Sequence, residues 1–166
     1  MDDLKAELIA LDVHSDMVSS VIIQDNKVMS GSGDKTIRIW DLKNPKSEPI
    51  VLDGDYSAVV NSVAIQDNKV VPEFWNRFVR VWNLEDINGE PVVLEGDSMV
   101  VYCVAIQDNN VVSGSNDMAV RMWDLEDINA EPIVLKDHSG KVYIVVIQGK
   151  KVISGSRDKK VHECGI

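Results

Sequence analysis

The chain has 166 residues, 45% of them hydrophobic, and a formal net charge of −10. This length predicts one domain with enough chain to form a core. The acidic balance argues against binding to nucleic acid or to an anionic membrane, because both require basic patches. No apolar stretch approaches the roughly 18 residues of a membrane-spanning helix, and the acidic start is not expected to be a signal peptide. Cys103 and Cys164 fit neither a disulfide framework nor a zinc site, which favours reduced thiols and a cytoplasmic location.

A repeat of about 41 residues organises the chain. Tryptophans occur at positions 40, 82 and 123, and one further step of the same length reaches Cys164. An Ile-Gln pair recurs at nearly the same interval, beginning at Ile23, Ile65, Ile106 and Ile147. Self-similarity at this period indicates a repeat architecture. We predict a single repeat domain over residues 1–166, with repeats at about 7–47, 48–89, 90–130 and 131–166.

Each repeat is predicted to form short β-strands and no helix. In the first repeat, residues 17–23 are rich in β-branched side chains, and residues 24–27 read as an Asp/Asn turn. Residues 28–31, 36–40 and 48–53 supply the next three strands. One such sheet has two apolar faces, so neighbouring sheets must stack to cover them. The predicted fold class is therefore all-β.

One motif carries a family resemblance. A Ser-Gly-Ser-x-Asp turn occurs at 30–34, 113–117 and 154–158, and the first two are followed six residues later by Trp-Asp. The second repeat retains only Trp82-Asn83. These residues resemble WD40 repeats, and the resemblance covers residues 7–166. It implies a β-propeller of about four blades whose last repeat is incomplete.

The resemblance leaves two ways of arranging four blades. In a closed ring, residues 7–12 would pair with the third strand of the last repeat, at about 158–163, which would remove open sheet edges. Four blades lie at the lower end of the propeller range. The alternative is an open arc that forms a homodimer with a second copy.

The resemblance also implies a hydrogen-bonded network of Trp, Ser, His and Asp within the blades. Carried over position by position, this structural network comprises His14, Ser32, Asp34, Trp40, Trp82, Ser115, Asp117, Trp123, His138, Ser156 and Asp158. Asp97 occupies the histidine position of the third repeat, and Cys164 occupies the tryptophan position of the fourth. We interpret these Ser, His and Asp residues as structural, because each is committed to holding the fold. Neither a catalytic site, a metal site nor a cofactor is expected.

A partner is expected on the narrow face, as is common in WD40 propellers. The corresponding positions precede or enter the first strand of each repeat, or precede the turn Asp. They are Met17, Ser19, Gly33, Val59, Asn61, Trp75, Val100, Tyr102, Asn116, Lys141, Tyr143 and Arg157. Aromatic residues and Arg are enriched where interfaces gain their energy. The predicted function is therefore a non-catalytic scaffold or adaptor that binds another protein or a peptide.

Two segments depart from the repeat pattern. Residues 72–77, Pro-Glu-Phe-Trp-Asn-Arg, replace the Ser-Gly-Ser-x-Asp-Lys turn, either as a specialised binding loop or through sequence damage. The segment 163–166 becomes Val-Trp-Asn-Leu if permitted codons are read in a shifted frame, which would restore the motif. The alternative function is therefore a truncated, degenerate propeller with little independent activity. An enzyme on a propeller scaffold is the second alternative.

Overall fold

The computed structural model describes residues 10–11, 14–52 and 58–165, and within these ranges the chain forms fifteen β-strands and no helix. The strands form four antiparallel sheets in which consecutive strands are neighbours. Sheet 1 contains β1 (Val18–Gln24), β2 (Lys27–Ser32), β3 (Ile37–Asp41) and β4 (Ile50–Leu52). Sheet 2 contains β5 (Val60–Gln66), β6 (Lys69–Phe74), β7 (Val79–Asn83) and β8 (Val92–Leu94). Sheet 3 contains β9 (Val101–Gln107), β10 (Asn110–Ser115), β11 (Val120–Asp124) and β12 (Ile133–Leu135). Sheet 4 contains β13 (Val142–Gln148), β14 (Lys151–Ser156) and β15 (Val161–Gly165).

The all-β prediction is confirmed. The sheets have the same period as the sequence repeats, but their boundaries are shifted relative to those of the predicted repeats. Each of the first three sheets takes its fourth strand from the beginning of the next sequence repeat. Thus β4 lies within the predicted repeat 48–89 although it pairs with β3. No helix long and apolar enough to cross a membrane occurs among the described residues.

Tight turns with acidic residues connect the first two strands of sheets 1 to 3. Asp25, Asp67 and Asp108 have φ angles of 53°, 52° and 55°. Asp tolerates this left-handed region because its short polar side chain can hydrogen-bond locally. The recurring Gln-Asp-Asn sequence thereby sets the same hairpin register in each of these sheets.

The four sheets stack face to face in an arc. The first strands of the sheets, β1, β5, β9 and β13, lie side by side in that order. Three hydrophobic clusters fill the spaces between successive sheets. Among the described strands, β1 and β13 each have such a neighbour on one side only. The described part of the chain therefore forms an open arc and not the closed four-blade ring that the sequence also allowed.

The predicted closing strand comprises residues 7–12. Of these, residues 7–9 and 12 lie outside the described part of the chain. Its pairing with the last repeat therefore stays a prediction. Within the described residues, β15 is the edge strand of sheet 4.

Sheet 2 is irregular at Pro72. The β6–β7 ladder pairs Val70 with Trp82 and Glu73 with Val79, and no pairing is formed at the two residues between Val70 and Glu73. The corresponding ladder of sheet 1 is continuous. Proline has no backbone N–H to donate to a ladder, which accounts for an interruption at this point.

Candidate functional site

The histidine network of sheet 1 links the end of the sheet to its interior. The Nδ1 atom of His14 lies 2.8 Å from Asp34 Oδ2, and its Nε2 atom lies 2.6 Å from Ser30 Oγ. Thr36 donates to Asp34 through both its backbone N–H and its hydroxyl. Desolvation opposes ionisation of Asp34, but the hydrogen bonds from Thr36 and His14 outweigh it and hold the pKa of this carboxyl well below its usual range. The Trp40 ring packs edge-on against the imidazole at 5.9 Å.

Sheet 4 repeats the same arrangement. His138 Nδ1 lies 2.8 Å from Asp158 Oδ2, and His138 Nε2 lies 2.9 Å from Ser154 Oγ. Cys164 pairs with Val152 where the other sheets have a tryptophan. His162, which fits no motif position in the sequence, stacks on His138 at 4.3 Å. A second imidazole thus packs against the network histidine in the sheet that lacks the indole.

The serine in each network differs from the predicted one by two residues. Ser30, Ser113 and Ser154 meet the histidine or its replacement, whereas Ser32, Ser115 and Ser156 were predicted. Residues two apart on a strand point to the same face, so the motif alone does not distinguish them. The imidazole is anchored at the sheet end by its Nδ1 atom, so its far nitrogen reaches the deeper serine.

The predicted serines have another structural role. Each hydroxyl accepts a hydrogen bond from the N–H of the turn Asp two residues later, at 3.1–3.2 Å. Each also donates to a backbone carbonyl of the preceding loop, which belongs to Asp16, Val100 or Gly140. These serines therefore hold the turn to the neighbouring loop.

In sheet 3 an ion pair between Asp97 and Arg121 takes the place of the histidine hydrogen bonds. Arg121 Nη1 donates to Asp97 Oδ1 at 2.6 Å, and Arg121 Nη2 lies 2.8 Å from Asp117 Oδ2. Ser113 donates to the other Asp97 oxygen at 2.9 Å. Burial raises the pKa of Asp97 to about 6, although Arg121 and Ser113 lower it in part. The sequence placed Asp97 correctly, but Arg121 carries no motif signal that would have identified it.

Sheet 2 retains little of the network. Asn76 Oδ1 accepts from the Phe78 N–H at 2.9 Å and so keeps part of the role of the turn Asp. Phe74 is buried and packs against Trp82 at a ring distance of 6.0 Å. Residue 55, at the histidine position, lies outside the described residues.

Glu73 is a buried carboxyl that the motif did not predict. It pairs with Val79, in the register that Gly31 has with Ile37 in sheet 1. A Cβ atom at Gly31 would come within 2.4 Å of Val60 Cγ1, so this register position faces the next sheet closely. Burial raises the pKa of Glu73 to about 8, with a partial opposing effect of the Asn61 side chain. Neither carboxyl oxygen has a hydrogen bond of good geometry among the described residues.

The predicted partner-binding positions lie together at one end of the sheets. In every sheet, the residue before the turn Asp or Asn donates its backbone N–H to the loop before the first strand, at 2.8–3.0 Å. The donor and acceptor pairs are Gly33 and Met17, Trp75 and Val59, Asn116 and Val100, and Arg157 and Lys141. We call the surface formed by these eight residues, with Ser19, Asn61, Tyr102 and Tyr143, the end surface.

The third and fourth sheets contribute an aromatic and basic cluster to the end surface. The rings of Tyr102 and Tyr143 lie 5.0 Å apart, and Lys141 Nζ donates to the Tyr102 hydroxyl at 3.3 Å. Tyr143 and Arg157 are exposed, and Tyr102 is half-buried. The tyrosines therefore pack across adjacent sheets and also present their rings to solvent.

The other sheets give this surface a different character. Trp75 is exposed on sheet 2. On sheet 1, Ser19 donates to the carbonyls of Gly31 and Val60 and is thus tied to the backbone. Asp16 lies beside Gly33 and places a carboxylate there, which the predicted set did not include.

Among the described residues, no group of His, Cys, Asp or Glu side chains is arranged to hold a metal ion. The His14 and His138 imidazoles each have both ring nitrogens in contact with protein side chains. This arrangement is suited to holding loops and strands together and leaves the imidazole no free nitrogen for a substrate.

The four stacked antiparallel sheets, three of which have a buried polar network at the same position, define a β-propeller-type repeat protein. Residues 6–41 and 90–124 match the WD40 family model, described as "WD domain, G-beta repeat". The predicted WD40 resemblance is thus confirmed for two of the repeats, and the chain has the features of a WD40 family member. None of the curated proteins compared with the chain matches it.

Solved propeller structures have the same fold. The computationally designed protein Ika4 superposes with a TM-score of 0.79 at 29% identity, over 97% of this chain and 98% of its own. The designed protein Ika8 gives a TM-score of 0.81 at 27% identity, over 95% of this chain and 48% of its own. A chain of the mitotic checkpoint complex gives 0.82 at 20% identity, over 93% of this chain and 49% of its own. The chain therefore spans about half the length of the last two.

Proposed function

We propose that this protein is a non-catalytic interaction scaffold that binds a protein segment or peptide on its end surface. WD40 repeats are typical of interaction scaffolds, and the family is generally non-enzymatic. The observation that carries the proposal is the cluster of Tyr102, Tyr143 and Lys141 on an end surface built in the same way in all four sheets. Fold likeness alone names no partner, so the argument rests on these side chains.

The cluster also favours one kind of ligand. Rigid aromatic rings with an adjacent Lys and Arg bind aromatic or apolar side chains flanked by carboxylates. The chain as a whole carries a charge of −10, so Lys141 and Arg157 form a local basic area on an acidic molecule. An acidic peptide is therefore oriented towards sheets 3 and 4 and away from Asp16 on sheet 1.

The setting we propose for this scaffold is cytoplasmic. Both cysteines are free, and burial raises the pKa of the Cys103 thiol to about 12, so this thiol is unreactive. Free cysteines are usual in a reducing compartment. The pairing of two copies that the sequence suggested would use different residues, on the outward faces of the first and last sheets.

A displayed peptide library selected on the intact protein tests this proposal. Selected peptides are synthesised, and their dissociation constants are measured against Tyr102→Ala, Tyr143→Ala and Arg157→Ala. We expect each substitution to weaken binding at least about tenfold, as is typical of aromatic and Arg anchors. The melting temperature of each variant is measured in parallel, because Tyr102 is half-buried.

Ile133→Ala is the matched control, because Ile133 is exposed on the outer strand β12 and lies outside the end surface. It should leave binding unchanged. Equal losses in the control and the end-surface variants would reject the proposal, as would selected peptides that bind all folded variants with unchanged affinity.

A further inference from the structure

The outward face of sheet 1 exposes residues that are buried in every other sheet. Val21 of β1 is 65% exposed, whereas its equivalents Val63, Val104 and Val145 are 5–7% exposed. Val18 is also exposed, although its three equivalents at the start of β5, β9 and β13 are fully buried. In sheets 2 to 4 these positions pack against the preceding sheet. Sheet 1 has no preceding sheet among the described residues.

The outward face of sheet 4 shows the complementary pattern. Val161 of β15 is 74% exposed, whereas its equivalents Ile37, Val79 and Val120 are at most 2% exposed. Ile144 and Val146 of β13 are exposed on the same side of the arc. In sheets 1 to 3 this face packs against the following sheet.

The two open faces are therefore the two halves of one contact. Each cluster inside the arc packs the position equivalent to Val161 in one sheet against the position equivalent to Val21 in the next sheet. The faces lie at opposite ends of the open arc, on sheets whose first strands do not adjoin. A single described arc thus leaves both halves of the contact uncovered.

The length of the arc indicates which partner covers the exposed faces of sheets 1 and 4. The chain superposes on about half of Ika8 and half of the mitotic checkpoint chain, with TM-scores of 0.81 and 0.82. Its curvature is thus that of half a larger propeller. A head-to-tail contact between identical chains closes a ring when a whole number of the rotations between chains makes a full turn. Two chains that each form half a ring are related by half a turn and meet this condition.

We propose that two copies of this chain associate head to tail, with sheet 4 of each copy packed on sheet 1 of the other, to form one closed ring of eight sheets. The contact would bring together exposed apolar residues of the kind that form the sheet-to-sheet contacts within the chain. Glu163 is a polar interruption on the sheet 4 face, where Ile39, Val81 and Met122 occur in the other sheets. It is partly neutralised by Lys151 at 2.6 Å.

The test is the molar mass of the intact protein in solution, measured by light scattering and sedimentation. We expect twice the chain mass of 18.4 kDa. Val21→Asp and Val161→Asp should each give the single-chain mass, because each places a carboxylate in both interfaces of the ring. Val93→Asp is the control, because this valine is also exposed, on the outer strand β8 of sheet 2, and its substitution should leave the mass doubled.

Mixing the two variants tests the head-to-tail arrangement. Sheet 4 of the Val21→Asp chain and sheet 1 of the Val161→Asp chain are both intact, so an equimolar mixture should recover association through one interface. If Val21→Asp alone dissociated the protein and Val161→Asp had no effect, a symmetric sheet 1 contact would replace this proposal. A wild-type mass of one chain, or an open-ended series of larger assemblies, would overturn it. Circular dichroism confirms that each variant is folded.

Discussion

Arg121 donates a 2.6 Å hydrogen bond to Asp97, and this buried ion pair occupies the place that a histidine takes in sheets 1 and 4. The replacement preserves the function of the network, because the loop that carries Asp97 remains attached to the sheet. The side chain of Asp97 is almost fully buried, and Arg121 is the cation that also contacts Asp117. Sheet 3 thus uses a charged pair where sheets 1 and 4 use an imidazole.

Arg121→Met should therefore destabilise the protein strongly. Removing one partner of a buried pair leaves an uncompensated charge, which costs about 3–5 kcal/mol. Arg121 lowers the pKa of Asp97, so its loss should raise that pKa above about 6. The measurement is the free energy of unfolding from urea denaturation at pH 7. The double variant Arg121→Met/Asp97→Asn should recover part of the loss, and an equal loss in both would contradict the ion-pair account.

The indole of Trp123 should stabilise the folded protein through its hydrogen bond as well as through its packing. Its Nε1 atom donates to the Glu95 carbonyl at 3.0 Å, and the ring is buried between sheets 2 and 3. Trp123→Phe leaves this carbonyl without its donor, which should cost about 1–3 kcal/mol. Trp75→Phe, at an exposed position, is the control and should have a small effect. Similar unfolding free energies for both variants would show that the hydrogen bond adds little.

Glu73 should make the protein less stable as the pH rises. Its folded-state pKa of about 8 lies above the ordinary value of 4.5, so between these values the folded state holds a proton that the unfolded state has released. The free energy of unfolding should therefore fall between about pH 4.5 and pH 8. Glu73→Gln stays neutral and should be more stable than the wild type at pH 8, by at most about 5 kcal/mol.

At pH 4 the Glu73→Gln and wild-type proteins should have nearly equal stability. Glu90→Gln, which changes an exposed carboxylate, is the matched control and should show no such difference between the two pH values. Urea denaturation at both values measures the effect. If Glu73→Gln increased the free energy of unfolding equally at pH 4 and pH 8, the effect would not come from ionisation of the buried Glu73 carboxyl.

Restoring the tryptophan motif in sheet 4 should stabilise the protein. Cys164 pairs with Val152 in the register in which Trp40 pairs with Val28. A small cavity of about 20 Å³ beside Cys164 is lined by residues that include Leu135, and it opens next to His138. Replacing residues 163–166 with Val-Trp-Asn-Leu should add about 1–2 kcal/mol and raise the melting temperature by roughly 2–8 °C.

Glu163→Val alone is the control for the C-terminal replacement, because it removes only the exposed charge on β15. The melting temperature should rise more with the full replacement than with the control. Equal values would show that the indole adds no stabilising packing in sheet 4, and they would remove the physical argument for a shifted reading frame at this segment.

Much of the fold could be predicted because it is set by local sequence. Alternating β-branched residues specify strands, Asp-Asn turns specify hairpins, and the tryptophan interval marks the repeating unit. The turn aspartates Asp34, Asp117 and Asp158 were also identified, because each binds the backbone two residues later. Interactions of this short range are visible in any single repeat.

Other features depend on contacts between distant residues. Ser30 and Ser32 lie on the same face of one strand, and only the depth reached by His14 selects the first of them. Arg121 pairs with Asp97, 24 residues earlier, and Glu73 is buried where a glycine lies in the other sheets. The repeat motif contains no information about these side chains.

The open arc is the clearest case of a property that no repeat specifies alone. Each sheet packs on the next through the same apolar positions, and a small rotation at every contact accumulates along the chain. Whether the ends meet depends on that accumulated rotation. Val21 and Val161 are β-branched apolar residues like their buried equivalents, so the sequence predicts the contact they make. Their exposure follows from the curvature of the whole arc, which keeps the two faces of one chain apart.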